Sequence, residues 1–153
     1  MAILTEEMKR LVAEQRLGFV ATVGADGTPN LSPKGTMQVL DDDHIAFADI
    51  RSPATIANLA ANPVMEINFV DPFSRTGYRF KGTAKVVPKG APEFSALFDH
   101  FAQSALVDRI RAIVVMQVTR AARITSPAYD AGATEPELRR KWRAYFDSLQ
   151  PKD

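Results

Sequence analysis

An antiparallel β-barrel with helical additions is the fold class the sequence predicts, and three observations point to it. Six segments carry strand-like apolar patterning, the strongest being Tyr78 to Val87, where Tyr78, Phe80, Gly82, Ala84 and Val86 alternate with Arg79, Lys81, Thr83 and Lys85. Hairpin-type turn residues separate several of them, above all Ala25-Asp26-Gly27-Thr28. Helical periodicity is confined to the two termini and to short stretches between strands. A β-sandwich is the main structural rival.

In chain order, Thr5 caps a first helix whose Met8, Leu11 and Val12 share a face. Glu6 and Glu7 suit its positive end, and it ends near Gln15. Leu17 to Val23 reads as a half-buried strand, closed by the Asp-Gly turn, which accounts for Gly24 and Gly27. Strand two, Pro29 to Val39, is PNLSPKGTMQV, and its proline, lysine and glycine make it weak for a strand. It is either a kinked edge or a place where a ligand approaches the backbone. Asp41-Asp42-Asp43 forms a solvated turn into a third strand, His44 to Ala48.

Ser52 then reads as an N-cap with Pro53 at the first helical position, and Ile56, Leu59 and Ala60 give that helix one apolar face until Asn62-Pro63 stops it. Val64 to Val70 is strand four and Tyr78 to Val87 strand five. A helix carrying Phe94, Leu97, Phe98 and Phe101 follows, then strand six at Ala112 to Thr119. Residues 120–133 read as an irregular link. Thr134 and Glu137 have capping-box spacing, so a last helix spans about 134–149, with Leu138, Trp142, Tyr145, Phe146 and Leu149 along one side.

Composition narrows the function. The 153 residues fit one domain, 1–153, with 46% hydrophobic and 24% charged residues. Nineteen basic against 18 acidic residues argue against a nucleic-acid partner, and Arg139, Arg140, Lys141 and Arg143 read as the wet side of the last helix. Without cysteine there is no thiol catalyst or cysteine-built zinc site, and His44 and His100 are too few for a histidine-built metal centre. They read as structural or surface residues. The N-terminus lacks the apolar core of a signal peptide and no run is long enough to cross a membrane, so a cytoplasmic location is expected.

Walker, GxGxxG, GxSxG and HExxH motifs are missing, and no carboxylate pair suggests acid and base roles. One feature points to a ligand. The helix starting at Ser52 offers hydroxyls at Ser52 and Thr55 beside Arg51, and Lys34 lies in the kinked strand next door. That set is suited to a phosphate.

Three blocks, GFVATVGADGTPNLSPKGTMQVL, DDDHIAFADIRSPATIANLAANP and FVDPFSRTGYRFKGTAKV, taken in this order, resemble the pyridoxamine 5'-phosphate oxidase-like split-barrel proteins that bind flavin mononucleotide (FMN). The likeness is to the small flavin-binding branch whose strand two carries Ser-Pro-Lys-Gly. It implies a six-stranded antiparallel split barrel and a homodimer with FMN in clefts at the interface. The flavin would run along Ser32, Pro33, Lys34, Gly35 and Thr36, with its phosphate near Arg51, Ser52 and Thr55 and with Arg79 as a further polar contact. Relatives often carry a basic residue where this chain has Ala54, a role left to Arg51. The implied activity is an FMN-dependent oxidoreductase acting on a small molecule, with no acid or base assigned. The alternative is a binding or carrier module for flavin or deazaflavin.

Overall fold

The computed structural model describes residues 2–152. Its strands are β1 (Gly18–Val23), β2 (Pro29–Lys34), β3 (Gln38–Val39), β4 (His44–Asp49), β5 (Val64–Asp71), β6 (Thr76–Pro88) and β7 (Ala112–Thr125). The α-helices are α1 (Glu6–Gln15), α2 (Pro53–Ala61), α3 (Phe94–Phe98) and α4 (Glu135–Ser148), with 3-10 turns at Asp99–Phe101 and Val107–Arg109. The strands form one antiparallel sheet ordered β2-β1-β5-β6-β7-β4-β3.

That order corrects the expected strand count. The segment from Pro29 to Val39 is not one bent strand: β2 pairs with β1 at one edge of the sheet, and β3 pairs with β4 at the other. Only Gly35, Thr36 and Met37 lie between them. A link that short spans at most about 14 Å, so the sheet curls until its edges almost meet. The result is a barrel split along the β2–β3 seam. Here Thr36 stands in for a strand partner, its Oγ1 accepting the Ala48 N–H at 2.9 Å.

The interior follows from the pleat. Val20, Ile67 and Phe80 lie on one face by register and join Phe47, Phe69, Met116 and Val118 in a dry core. β4 is covered on both sides, because Ala46 and Ala48 face a second cluster formed with Phe94, Phe101, Ile110 and Ile113. Small residues on that side let α3 and its following turn lie close. A register shift between Lys81 and Gly82 leaves Thr119 as an extra residue on β7, and such a bulge bends a sheet toward closure. β7 runs on to Thr125, so the irregular link is shorter than the sequence suggested.

The acidic triplet does more than solvate a turn. Asp43 Oδ1 accepts the Ile3 N–H at 2.8 Å, Asp42 pairs with Lys9 at 2.5 Å, and Asp41 takes His44 Nδ1 at 2.8 Å. The first two bonds tie the N-terminal segment and α1 to the barrel, and the third is local to the turn. The caps behave unequally. Thr5 Oγ1 accepts the Met8 N–H and Thr134 closes a full capping box with Glu137, whereas Ser52 makes no side-chain capping bond. Along α4, Leu138 is buried and Trp142 and Phe146 are half-buried, while Tyr145 and Leu149 stay exposed.

Candidate functional site

β2 is an edge strand, so its prolines can leave their missing N–H unpaired without disturbing a second neighbour. Pro33 opposes Phe19 on the outer face. The alternation then turns Asn30, Ser32 and Lys34 inward, opposite Thr22, Val20 and Gly18. Lys34 is 7% exposed, unusual for a lysine, and its Nζ donates to Ser32 Oγ at 2.5 Å. Burial pushes the Lys34 ammonium below its ordinary pKa, against the opposing pull of the Asp49 carboxylate.

Asp49 acts on Lys34 electrostatically and holds the start of α2. It ends β4, is itself buried, accepts the Ser52 N–H at 3.0 Å and faces Arg111 at 3.4 Å. It fixes the backbone of the cap residue but leaves the first turn of α2 without a side-chain cap. Pro53 has no N–H and that of Ser52 is taken, which leaves Ala54 and Thr55 as the open backbone donors of the first turn. The Ser52 hydroxyl is spared for another acceptor.

The sequence-predicted residues divide accordingly. Ser32 and Lys34 come together, and the Asp49 carboxylate, which accepts the Ser52 N–H, acts electrostatically on Lys34. Arg51 is exposed beside Ser52 and forms no ion pair among the described residues. Gly35 is exposed, with nothing within 4 Å of the position a Cβ would take, so a ligand could press against its backbone. The cleft that contains Gly35 and Thr36 opens toward Arg16 and His100, and Ser52 does not line it. Thr55 is 2% exposed, its side chain turned into the protein. Arg79 shares the outer face with Pro33, by way of Asn68 and Phe19, and pairs with Glu66 at 2.8 Å. It is therefore on the opposite side of the sheet from Lys34.

Asp49 and Arg111 were missed by sequence reasoning. The Asp49-Ile50-Arg51-Ser52 run held a signal, an acid just before a helix start, but Arg111 lies 62 residues from Asp49 and nothing local announces it. Asn30 adds another unpredicted feature: its Oδ1 is buried without a hydrogen-bond partner. Its neighbour Thr22 is occupied by Asn58, whose Nδ2 donates to Thr22 Oγ1 at 3.0 Å. An unpaired buried acceptor, a buried ammonium and an uncapped serine on adjoining elements are the features of a polar seat for a ligand. Among the described residues no group of His, Asp and Glu could hold a metal ion, and no helix is long and apolar enough to cross a membrane.

A split antiparallel barrel with such a seat at its seam defines a class of small ligand-binding barrels. Residues 4–143 match the pyridoxamine 5'-phosphate oxidase family, and the chain belongs to it. HupZ of Group A Streptococcus is 34% identical, with a TM-score of 0.72 over 81% of this chain and 96% of that one. A proposed pyridoxamine 5'-phosphate oxidase of Lactobacillus delbrueckii is 25% identical, with a TM-score of 0.68 over 80% and 95%. An uncharacterised protein of Methanocaldococcus jannaschii is 32% identical over 57% of this chain, and the match spans 58% of that relative's length. An FMN-binding protein of Syntrophomonas wolfei (14% identity, TM-score 0.67, 79% and 86% covered) and an F420 reductase (20%, 0.61, 78% and 98%) share the fold. Membership places the chain in a flavin-binding family.

Proposed function

We propose that the protein is an FMN-binding flavoprotein that works as a homodimer and acts as an oxidoreductase on a small molecule. The observation that carries this reading is the inward-facing Ser32–Lys34 pair, with the Asp49 carboxylate acting electrostatically on Lys34 while it accepts the Ser52 N–H at the start of α2. These residues fit a phosphorylated flavin. Lys34 supplies a cation, Ser52 a free hydroxyl, Ala54 and Thr55 the open N–H groups of a helix start, and Gly35 an unobstructed stretch of backbone. Arg51 stands beside them as the cation that Ala54 does not provide. The Asp49 carboxylate opposes the lowering of the Lys34 pKa by burial, and it fixes the Ser52 backbone. Arg79 has no part in the phosphate seat of its own chain.

Bound flavin supplies hydride and electron-transfer chemistry, which the side chains here do not offer. The protein's part is to orient the ring along the β2–β3 seam, neutralise the phosphate and exclude water. A homodimer is supported by the outer face of β2-β1-β5. Phe19, Leu31 and Val64 are 40%, 68% and 54% exposed there, with Ala21 and Pro33 between them by register. A second copy would cover that face and close the seam over a flat ligand.

The test is to titrate the apoprotein with FMN while measuring flavin fluorescence and mass by light scattering, then to offer reduced nicotinamide donors anaerobically. Tight FMN binding by a dimer, with bleaching of the flavin by a donor, is the expected result. A monomer that takes up no FMN would overturn the reading. FMN bound but reduced only by dithionite would replace the oxidoreductase with a carrier.

A further inference from the structure

The cleft beside Gly35 is separate from the phosphate seat and has a chemistry of its own. It measures about 390 Å³, within the range of small-ligand pockets, and lies between the end of α1, the β2–β3 link and the turn after α3. Its floor is apolar, with Met37 and Phe101 both buried. Its walls carry Thr36, Gln103 and Ser104, and among the described residues its only ionisable lining residues are Arg16 and His100. Among the described residues no carboxylate lines it. The contrast with the cleft between α1 and α4 decides the sign. That one is smaller, about 140 Å³, and sets Glu7, Glu14, Asp71 and Glu135 against its three arginines.

Arg16 is held for the cleft by its backbone. It follows α1 with φ 59° and ψ −35°, a conformation that favours glycine, and is fixed there by its N–H bond to Val12 O at 3.0 Å. No ion pair occupies its guanidinium among the described residues. A fork of five donors left unpaired above an apolar floor is suited to a carboxylate or phosphate carried on a small organic body.

We propose that this cleft binds a small organic anion, held by Arg16 and His100, with its body against the open side of Gly35. On the flavin reading given above, from which this takes its meaning, that anion is the molecule presented to the flavin. The cleft itself needs no flavin to bind it.

The experiment follows backbone amides by nuclear magnetic resonance, in protein without flavin and again with saturating FMN. Benzoate, phenyl phosphate and neutral benzamide are added in turn. One of the two anions should shift Gly35, Gln103 and Ser104 and bind at least tenfold tighter than benzamide; which of them does so identifies carboxylate or phosphate as the anchor. Arg16→Gly, which suits the backbone conformation, and His100→Gln should each weaken that anion at least fivefold and leave benzamide unchanged. Equal binding of benzamide, indifference to both substitutions, or shifts centred on Arg123 and Arg139 would overturn the proposal. Anion binding in a chain that takes up no FMN would support the cleft and sink the flavin reading. FMN binding without anion shifts would do the reverse.

Discussion

β6 and β7 are 13 and 14 residues long and pair along almost their whole length, whereas β2 has six residues and β3 two. The long pair is the barrel's spine: Phe80, Val114, Met116 and Val118 fill the interior from it. The short pair is a single segment torn between two edges, and it turns Ser32 and Lys34 inward where a spine strand turns phenylalanine and valine. On the proposed reading, the difference assigns stability and ligand binding to different strands. Polar groups can point inward at the seam because the edges there are not sealed by hydrogen bonds. The same groups in β6 would be left unpaired in a dry core.

Two glycines give the strongest way to break that comparison. A Cβ on Gly82 would lie 1.9 Å from Gln117 O and one on Gly77 would lie 2.0 Å from Phe69 O, both backbone atoms of neighbouring strands. Gly82→Ala should cost about 3 kcal/mol in urea unfolding, since neither strand can retreat without losing its ladder. A loss below about 1 kcal/mol would show that the spine is softer than its pairing suggests.

At the seam the expected loss is in ligand affinity. Lys34→Ala removes one charge-assisted contact, worth about 1.5 to 3 kcal/mol, so FMN should bind roughly ten- to a hundredfold more weakly. Unfolding stability should change far less than in Gly82→Ala, and a protein that simply unfolds would move Lys34 into the structural class.

A smaller effect comes from the tether of α4. Arg139 bonds Asp71 at 2.7 Å, while Trp142 lies under Arg75 at 3.5 Å from the ring centroid. Burial acts to raise the Asp71 carboxyl, but the N–H groups of Phe73 and Ser74 and the Arg139 guanidinium outweigh it and hold it below its usual pKa. A lowered folded pKa gives stability that is complete above the unfolded value, about 3.9, and is lost as pH falls through the folded one. The fluorescence of Trp142, the single tryptophan, should therefore report α4 loosening below about pH 4. Arg139→Ala should cost about 1 kcal/mol, discounted for its half-exposed side chain, and should shrink that acid transition. An unchanged transition would mean that Asp71 does not hold the helix.

The least disturbance is expected from Gly35→Ala. Nothing lies within 4 Å of the new methyl, so stability should stay within about 0.5 kcal/mol of the parent. FMN binding should still weaken, because the methyl enters the ligand's approach.

The spine was legible in the sequence because its signal is local: alternation from Tyr78 to Val86 places Phe80 inside and Arg79 and Lys81 outside. The hairpin at Asp26-Gly27 and the capping box at Thr134 were legible for the same reason, each being a bond between near neighbours. The seam was legible only as an irregularity. Proline and glycine marked a break at Pro33 and Gly35, but not that the two halves join opposite edges, which depends on pairings with β1 and β4. In the candidate site, Ser32, Lys34 and Ser52 were expected from residue type and the family likeness. Asp49 and Arg111 were not, because a contact across 62 residues leaves no periodicity. The serine at the start of α2 also showed a limit of cap reading: Ser52 stands at the cap position, yet its side chain makes no capping bond and its N–H is held by Asp49.

The most direct test of the central claim is calorimetric titration of the apoprotein with FMN and, separately, with riboflavin, which lacks the phosphate. If Lys34 and the start of α2 hold that phosphate, FMN binds at least tenfold more tightly, and Lys34→Ala and Ser52→Ala each narrow the gap. Equal affinities for the two ligands in the parent protein would contradict the account.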